Sequence, residues 1–248
     1  MRPETDRLAV VTATLDRNRA AAAIQSWRSS AAYDWPVHVV NGQFGVVPAF
    51  AEGVRQALRD SQAEVIACLH DDVLIEERDW DVWVLSHFEE HPGCGLAGFG
   101  GATGLGSQDL YQVPYAPVQL ARVDFRSNMR DAEAHGRRTT QPCRVACLDG
   151  FSLIGRRRFF ANAWAYLDAQ GLRHHYYDSA IGCLAKRWGE EVWLIPAACH
   201  HESGQTTKRN QAYRDWAYRQ DPQGNAGLWD WAHRWAYEEF RDVLPIRV

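Results

Sequence analysis

Residues 65–73 read Val65-Ile66-Ala67-Cys68-Leu69-His70-Asp71-Asp72-Val73, an apolar run that ends in two adjacent carboxylates. An apolar run of this length, framed by polar segments, predicts a strand that is buried on both faces of a parallel sheet. Ligands of open α/β sheets bind at the carboxyl ends of such strands. Because neighbouring aspartates repel each other, a divalent cation that also holds a phosphorylated ligand would stabilise the pair. The alternative is the start of a helix, since aspartate is a good N-cap.

Strand-like and helix-like segments alternate before this stretch. The predicted elements there are a strand at 8–14, a helix at 20–27 capped by Asp16 or Asn18, a strand at 37–40 and a helix at 48–58. Such β-α-β-α-β spacing calls for right-handed crossovers and a parallel sheet. The expected fold class is therefore α/β, with a Rossmann-type, mostly parallel central sheet flanked by helices. No dinucleotide fingerprint or P-loop follows any of the strands.

The second half of the chain continues the alternation around an irregular segment. The predicted elements there are helices at 79–90, 158–167 and 178–188 and strands at 95–101, 144–148 and 191–196. Residues 102–144 have no regular pattern, and a segment of that length inside a compact domain is usually functional. We expect it to be a substrate-facing insertion. The tail at 205–248 is predicted to be a helical extension, packed on the 1–204 domain through Trp231 and Trp235.

Composition limits the classes of partner and the compartment. The chain has 248 residues and a net charge of −4, which provides no global attraction to nucleic acid or anionic membrane. Cys68 and Cys183 lie in apolar stretches, and Cys143 and Cys147 lack the second pair that a zinc site needs. No signal peptide and no run of about 20 apolar residues are found. We therefore expect a cytoplasmic protein with reduced thiols.

Acidic or imidazole groups follow three of the predicted strands. These groups are His70-Asp71-Asp72, Asp149-Gly150 and His200-His201, and Asp178 begins a helix between the last two. A carboxylate pair and a distant histidine can complete an octahedral site for manganese or magnesium, with a nucleoside diphosphate in the open positions. Each feature also has an ordinary explanation. Asp149 can form a turn, Asp178 can cap its helix, and the histidine pair can lie in a surface loop.

Five segments in this order resemble the family 2 glycosyltransferases of GT-A fold, and in particular the StrF-type branch. The segments are residues 48–53, 69–73, 148–151 with Arg156 and Arg157, 176–189 and 200–204. The resemblance covers roughly residues 8–207. It implies a GT-A-like domain that moves a sugar from a nucleoside-diphosphate donor, most often a UDP-sugar, to a saccharide or small hydroxylated acceptor with inversion.

The resemblance also implies a metal site. Asp72 matches the metal-binding aspartate of the family's D-x-D-like motif, and Asp71 lies beside it. His70 stands where many relatives carry the first acid of that motif. His200 or His201 matches the late histidine that completes the metal site in relatives. The implied cofactor is Mn²⁺ or Mg²⁺.

Roles on the donor and acceptor sides follow from the same resemblance. Asp178 matches the general base of inverting members, although the next acid of that motif is replaced by Ala180. The implied donor-binding residues are Thr12, Ala13, Thr14, Asn41, His70, Asp71, Lys208 and Arg209. The implied acceptor-binding residues are Asp149, Gly150 and Tyr177.

Three alternatives remain open from the sequence. A sugar-nucleotide or saccharide-binding module that has lost catalysis would explain His70 and Ala180. A nucleotidyltransferase would also use strand-end aspartates, but residues 14–17 make a poor phosphate loop. A transferase acting on a hydroxylated DNA base is the third, because Arg137, Arg138 and residues 156–158 could contact phosphates.

Overall fold

The computed structural model describes residues 6–43, 45–106, 121–202, 211–212, 215 and 228–248. Its helices are α1 (Arg17–Ser29), α2 (Val46–Asp60), α3 (Trp80–Glu90), α4 (Ala132–His135), α5 (Arg157–Ala169), α6 (Tyr177–Arg187) and α7 (Leu228–Glu239). The first strands are β1 (Leu8–Thr14), β2 (Val37–Asn41), β3 (Val65–Leu69), β4 (Val73–Ile75), β5 (Cys94–Gly98), β6 (Gly100–Leu105) and β7 (Arg122–Ser127). The later strands are β8 (Arg137–Arg138), β9 (Cys143–Arg144), β10 (Cys147–Leu148), β11 (Ser152–Arg156), β12 (Glu191–Leu194), β13 (Cys199–His201) and β14 (Ile246–Arg247).

The central sheet has seven strands in the order β2-β1-β3-β11-β5-β12-β9. Its pairs β1–β2, β1–β3 and β5–β12 are parallel, whereas β3–β11, β5–β11 and β9–β12 are antiparallel. The sheet is therefore mixed, and the prediction of a mostly parallel sheet is wrong. The difference comes from β11, an apolar strand that inserts between β3 and β5. Its two-sided burial is visible in the sequence, but its direction is not.

The predicted central strand is confirmed. All five residues of β3 are buried, and they alternate between two apolar cores. Ile66 and Cys68 face the core that contains helices α2 and α5. Val65, Ala67 and Leu69 face the core that contains Trp27 of α1 and Trp80 of α3. This period-two alternation between two covered faces makes β3 the rigid support of the strand end that follows it.

Residues 102–144 are more regular than predicted. The second sheet has the order β10-β6-β7-β8, with β14 also paired to β6, and α4 lies between β7 and β8. The prediction of an irregular segment is therefore wrong for residues 102–105 and 121–144, while residues 107–120 lie outside the described part. Sequence patterning misses β7 because its residues are mostly polar and only partly buried, and it misses β8 because that strand is only two residues long.

The C-terminal part packs on the main domain. Trp231 and Trp235 stack with ring centroids 6.3 Å apart and lie against the larger apolar core. The tail is not helical throughout, because the chain ends in β14, where Ile246 pairs with Leu105. None of the described helices is long and apolar enough to cross a membrane.

A short ladder beside the central sheet brings two distant segments together. Strand β13 pairs with β4 in antiparallel register, so that His201 lies opposite Val73 and His200 opposite Leu74. No helix begins after Asp72, because β4 starts at the next residue. The helix-cap explanation of the two aspartates is therefore wrong.

All six cysteines are free, and five of them are buried. Burial raises the pKa of the Cys147 and Cys199 thiols to about 12. The predicted role of Cys68 and Cys183 as buried thiols is confirmed.

Candidate functional site

Three side chains converge beyond the end of β3. One ligand atom from each of His70, Asp72 and His201 lies within 4.8 Å of the other two. Asp72 Oδ1 is 3.3 Å from His201 Nε2 and 4.0 Å from His70 Nδ1. The loop after β3 supplies the first two residues, and the β4–β13 ladder holds the third in place. Phe151 also stacks on the His201 ring, with centroids 4.8 Å apart.

The protonation states in this group suit metal binding. Burial opposes the ionisation of Asp72, but the neighbouring imidazoles of His201 and His70 lower its pKa to about 2. Burial lowers the pKa of His70, although the Asp72 carboxylate acts in the opposite direction. Near neutral pH the group therefore presents an anionic carboxylate and a neutral imidazole, which are the forms that bind metal ions.

The residues present fit a metal ion. Asp72 Oδ1 and His201 Nε2 are buried and lie 3.3 Å apart, but neither atom is aligned for a hydrogen bond with the other or with any other described residue. Buried polar atoms are normally hydrogen-bonded, because an unsatisfied one costs about 1–3 kcal/mol. A metal ion bound by both atoms would satisfy them. His70, Asp72 and His201 are the residues that could hold it.

The other two predicted metal ligands do not join this group. Asp71 turns towards α1, where its Oδ2 accepts hydrogen bonds from Arg19 Nη2 at 2.9 Å and from the Thr14 hydroxyl. His200 lies one position before His201 on β13, and side chains alternate along a strand. The structure thus brings together one aspartate and one of the two late histidines, and adds His70.

A cleft between α1 and β2 opens beside Asp71. Its volume is about 530 Å³. Thr14 and Asn41 line it, whereas Thr12 is fully buried in β1. The other lining residues are Leu15, Arg17, Ala20, Ala21, Ile24, Val39, Val40 and Gln43. The hydroxyl of Thr14, which lines the cleft, donates a hydrogen bond to Asp71 in the turn after β3. This hydrogen bond links the cleft to the end of β3.

A second cleft of about 310 Å³ adjoins the metal-binding group and shares His201 with it. Asp149, a predicted acceptor residue, lines this cleft. The remaining lining residues are Arg122, Phe125, Met129 and His135. An aromatic face beside charged and polar groups is a suitable surface for a hydroxylated ligand.

Arg122 joins the two acidic residues at the edge of this second cleft. Its Nη1 lies 3.2 Å from Asp149 Oδ2, and its Nη2 bonds to Asp178 Oδ2. Burial lowers the pKa of Arg122, but the charges of Asp178 and Asp149 raise it above its usual value. Sequence reasoning misses Arg122 because it begins β7, in the segment predicted to be irregular, and no motif surrounds it.

Asp178 is not the N-cap residue of its helix. The N-cap of α6 is Tyr176, and that residue makes no side-chain capping bond. Asp178 Oδ2 accepts hydrogen bonds from the Gly150 amide at 3.1 Å and from Arg122, and its Oδ1 accepts the Ser179 amide in the first turn of α6 at 2.8 Å. The carboxylate therefore supports the helix start and also faces Arg122, and the base role remains a prediction.

Gly150 and Tyr177 lie between Asp178 and His70. The Tyr177 hydroxyl is 2.7 Å from His70 Nε2. A Cβ atom on Gly150 would lie 2.1 Å from that hydroxyl, so only glycine leaves room for it. The sequence indicates both residues through the family resemblance, but it does not indicate their contact with His70.

The arginines that could contact DNA phosphates are partly committed to internal contacts. Arg156 donates to the carbonyl oxygens of Phe88, His91 and Cys94, at the end of α3 and in the turn after it. Arg157 donates to the carbonyls of Leu58, Ser61 and Ala63, where α2 ends. These two side chains satisfy helix C-termini. They therefore give no support to the DNA-base alternative.

Two predicted donor residues, Lys208 and Arg209, lie outside the described residues. Ala13 is partly buried in β1 and is not among the residues that line the first cleft.

Comparison with known proteins identifies the family. The profile of a family described as "Glycosyltransferase like family" matches residues 10–212. The chain therefore belongs to this glycosyltransferase-like family, and membership supports glycosyl transfer as its reaction class. The mixed α/β architecture is consistent with a GT-A-like fold. A nucleotide-sugar donor and an acceptor are what such a family implies.

No curated protein sequence matches the chain. Among solved structures, the chain is similar to the crystal structure of A197 from STIV, with 11% identity and a TM-score of 0.46. The likeness covers 77% of this chain and 82% of that chain, and at this level it supports no functional conclusion.

Proposed function

We propose that this chain is a metal-dependent, inverting glycosyltransferase of the StrF-type branch. It transfers a sugar from a nucleoside-diphosphate donor to an acceptor hydroxyl. The observation that carries the proposal is the convergence of His70, Asp72 and His201 beside the second cleft, in a chain of the glycosyltransferase-like family. The first cleft is linked to the same strand end through the hydrogen bond between Thr14 and Asp71, so one cleft provides space for a nucleotide and the other for an acceptor.

The donor atoms of the group favour Mn²⁺ over Mg²⁺. His70 and His201 offer imidazole nitrogens, and Asp72 offers a carboxylate oxygen. Mg²⁺ prefers oxygen ligands in near-ideal octahedral geometry, whereas imidazole suits first-row transition ions better. A divalent ion held there supplies positive charge beside the leaving diphosphate.

The cleft between α1 and β2 is proposed to take the nucleoside. Its walls combine apolar side chains of α1, such as Ala20 and Ile24, with Asn41 and Gln43 at the end of β2. The Asn41 side-chain oxygen accepts the Gln43 amide at 2.9 Å, which fixes its orientation. Such a slot suits a flat base with polar edges, and UDP is the nucleotide that the family resemblance favours.

The second cleft is proposed to take the acceptor. Asp178 removes the proton of the attacking hydroxyl, and Arg122 holds the carboxylate in place together with the Gly150 amide. Attack from the face opposite the leaving group inverts the anomeric configuration. A saccharide or small hydroxylated molecule fits the cleft, in which Phe125 provides an apolar face.

A catalytically inactive sugar-nucleotide-binding module is the second candidate. The observation in its favour is the ion pair between Arg122 and Asp178, which occupies one oxygen of the proposed base. Both candidates bind a nucleotide sugar with metal, but only the enzyme breaks the sugar–phosphate bond.

A thermal-shift screen of nucleotide sugars with and without Mn²⁺ tests the proposal. We expect UDP-sugars to raise the melting temperature only when Mn²⁺ is present. A ligand at 100 times its Kd stabilises the folded state by about 2.7 kcal/mol, so the shift is measurable. Release of UDP from the best ligand then separates the enzyme from the inactive module. The absence of stabilisation by every nucleotide sugar in the presence of Mn²⁺ would contradict both candidates.

A further inference from the structure

We propose that Tyr177 is a positioning residue for the metal-binding group, because its hydroxyl holds the His70 imidazole with Nδ1 facing Asp72. This inference rests on the metal site of the proposed function. It gives Tyr177 a role that acts through His70 rather than through direct contact with the acceptor.

The geometry of His70 defines the role. Its Nε2 is 2.7 Å from the Tyr177 hydroxyl, and its Nδ1 is 4.0 Å from Asp72 Oδ1. A neutral imidazole carries one proton, so the nitrogen that donates and the nitrogen that binds metal are different atoms. When Nε2–H donates to the tyrosine oxygen, the lone pair of Nδ1 points towards the carboxylate, which is the arrangement that a metal ion requires. The contact therefore fixes the orientation of the ring and is able to support the metal-binding tautomer.

The tyrosine is itself held firmly. Tyr177 is buried at the first position of α6, and its ring lies 6.0 Å from the Trp164 ring of α5. Phe50 of α2 contacts Trp164 on one side and stacks on His70 on the other, with centroids 5.1 Å and 6.1 Å away. The backbone of Gly150 lies directly beside the Tyr177 hydroxyl. The tyrosine oxygen thus has little freedom to leave His70.

This arrangement compensates for the departure from the family pattern at His70. A carboxylate can bind a metal ion through either oxygen, whereas an imidazole must present one particular nitrogen. Metal-binding histidines usually donate their other N–H to a fixed acceptor, and removal of that acceptor typically weakens metal binding 10- to 100-fold. A histidine in place of an acid therefore needs a partner, and Tyr177 provides it.

Mn²⁺ binding to the full chain, measured from the electron paramagnetic resonance signal of free Mn²⁺, tests the inference without nucleotide or turnover. We expect the Tyr177→Phe variant to bind Mn²⁺ about 10- to 100-fold more weakly than the wild type. Tyr166→Phe is the matched control, since that hydroxyl bonds to Glu239 and lies outside the metal-binding group. It should bind Mn²⁺ like the wild type.

A double-mutant cycle separates positioning from general damage to the fold. If Tyr177 acts through His70, then His70→Ala and the double variant His70→Ala/Tyr177→Phe should have the same Mn²⁺ affinity. Gly150→Ala is a second route to the same result, because its methyl group would displace the tyrosine hydroxyl. It should also weaken Mn²⁺ binding while His70 and Tyr177 are both present.

The outcomes distinguish the inference from the proposed function. Wild-type protein that binds Mn²⁺, with unchanged affinity in Tyr177→Phe, would overturn the inference and leave the metal site intact. An equal loss from Tyr177→Phe in the His70→Ala background would also overturn it. Wild-type protein that binds no Mn²⁺ would overturn both.

Discussion

At the scale of single residues, the metal-binding group depends on which side chains the backbone directs inward. The sequence leaves His200 and His201 equivalent, because both follow the same strand. The register of β13 against β4 distinguishes them, and His201 is the one beside Asp72. The two aspartates are separated by the turn between β3 and β4, in which Asp71 contacts Arg19 and Asp72 contacts His201. Backbone geometry, as alternation along β13 and as a turn after β3, therefore decides between neighbours that the sequence cannot separate.

Asp178 and Asp149 give a matched pair of variants for the proposed general base. Both carboxylates contact Arg122, which lines the acceptor cleft, so their replacement by asparagine removes one negative charge beside the same guanidinium group. If Asp178 takes the proton, turnover of Asp178→Asn should fall about 100-fold or more, the usual range for a lost proton acceptor. The affinity for nucleotide should change little, because Asp178 is not among the residues that line the α1–β2 cleft. Steady-state kinetics and calorimetry provide the two quantities.

Asp149→Asn is the control for this prediction. It should retain most of the turnover at saturating acceptor, since Arg122 keeps Asp178 as its remaining partner, whereas a lost contact with the acceptor should raise KM. Full activity in Asp178→Asn, together with a large loss in Asp149→Asn, would transfer the role to Asp149. Melting temperatures of both variants verify that each one is folded.

At the scale of secondary structure, the sequence predicts correctly those helices and strands that are bounded by capping or turn residues of their own. The first strand runs over residues 8–14 as predicted, and Asp16 caps α1 by accepting the amides of Asn18 and Arg19. Elements without such signals are missed. Strand β11 is a short apolar segment directly before α5, and β7 and β8 lie in the segment predicted to be irregular. The strand predicted at 144–148 is divided into the two-residue strands β9 and β10, whose pairing is set by tertiary contacts.

The end of α3 gives a pH-dependent prediction. His87 is buried against His91, with ring centroids 4.2 Å apart, and against Trp193. Burial first, and then the charge of His91, lower the pKa of His87 to about 4. An unfolded chain has a histidine pKa of about 6.5, so it binds more protons than the folded chain between these values. The contribution of His87 to the free energy of unfolding is therefore fully present above pH 6.5. It is lost as the pH falls towards 4, and the total loss is about 3 kcal/mol.

The His87→Gln variant tests this contribution. Without the imidazole, the free energy of unfolding should fall less between pH 7.5 and pH 5, by on the order of 2 kcal/mol relative to the wild type. Urea denaturation at the two pH values measures the difference. Parallel pH dependence in both proteins would show that His87 does not titrate in this range.

At the scale of the whole molecule, the candidate site is assembled from segments that are far apart in the sequence. The loop after β3 provides His70 and Asp72, β13 provides His201, α6 provides Tyr177 and Asp178, and β7 provides Arg122. The family resemblance indicates most of these residues but not their partners. Arg122 and the contact between Tyr177 and His70 depend on how the second sheet and α6 pack against the central sheet, and no local pattern encodes that packing.

The central claim is that Asp72 and His201 form one metal site that binds the donor diphosphate. Calorimetry of UDP binding in the presence of Mn²⁺ tests it most directly, with the neighbouring histidine as an internal control. We predict that Asp72→Ala and His201→Ala each weaken Mn²⁺-dependent UDP binding about 100-fold or more, because each removes a ligand rather than a supporting contact. His200→Ala should change the affinity by only a few-fold at most. Unchanged affinity in Asp72→Ala or His201→Ala, or a greater loss in His200→Ala than in His201→Ala, would contradict the account.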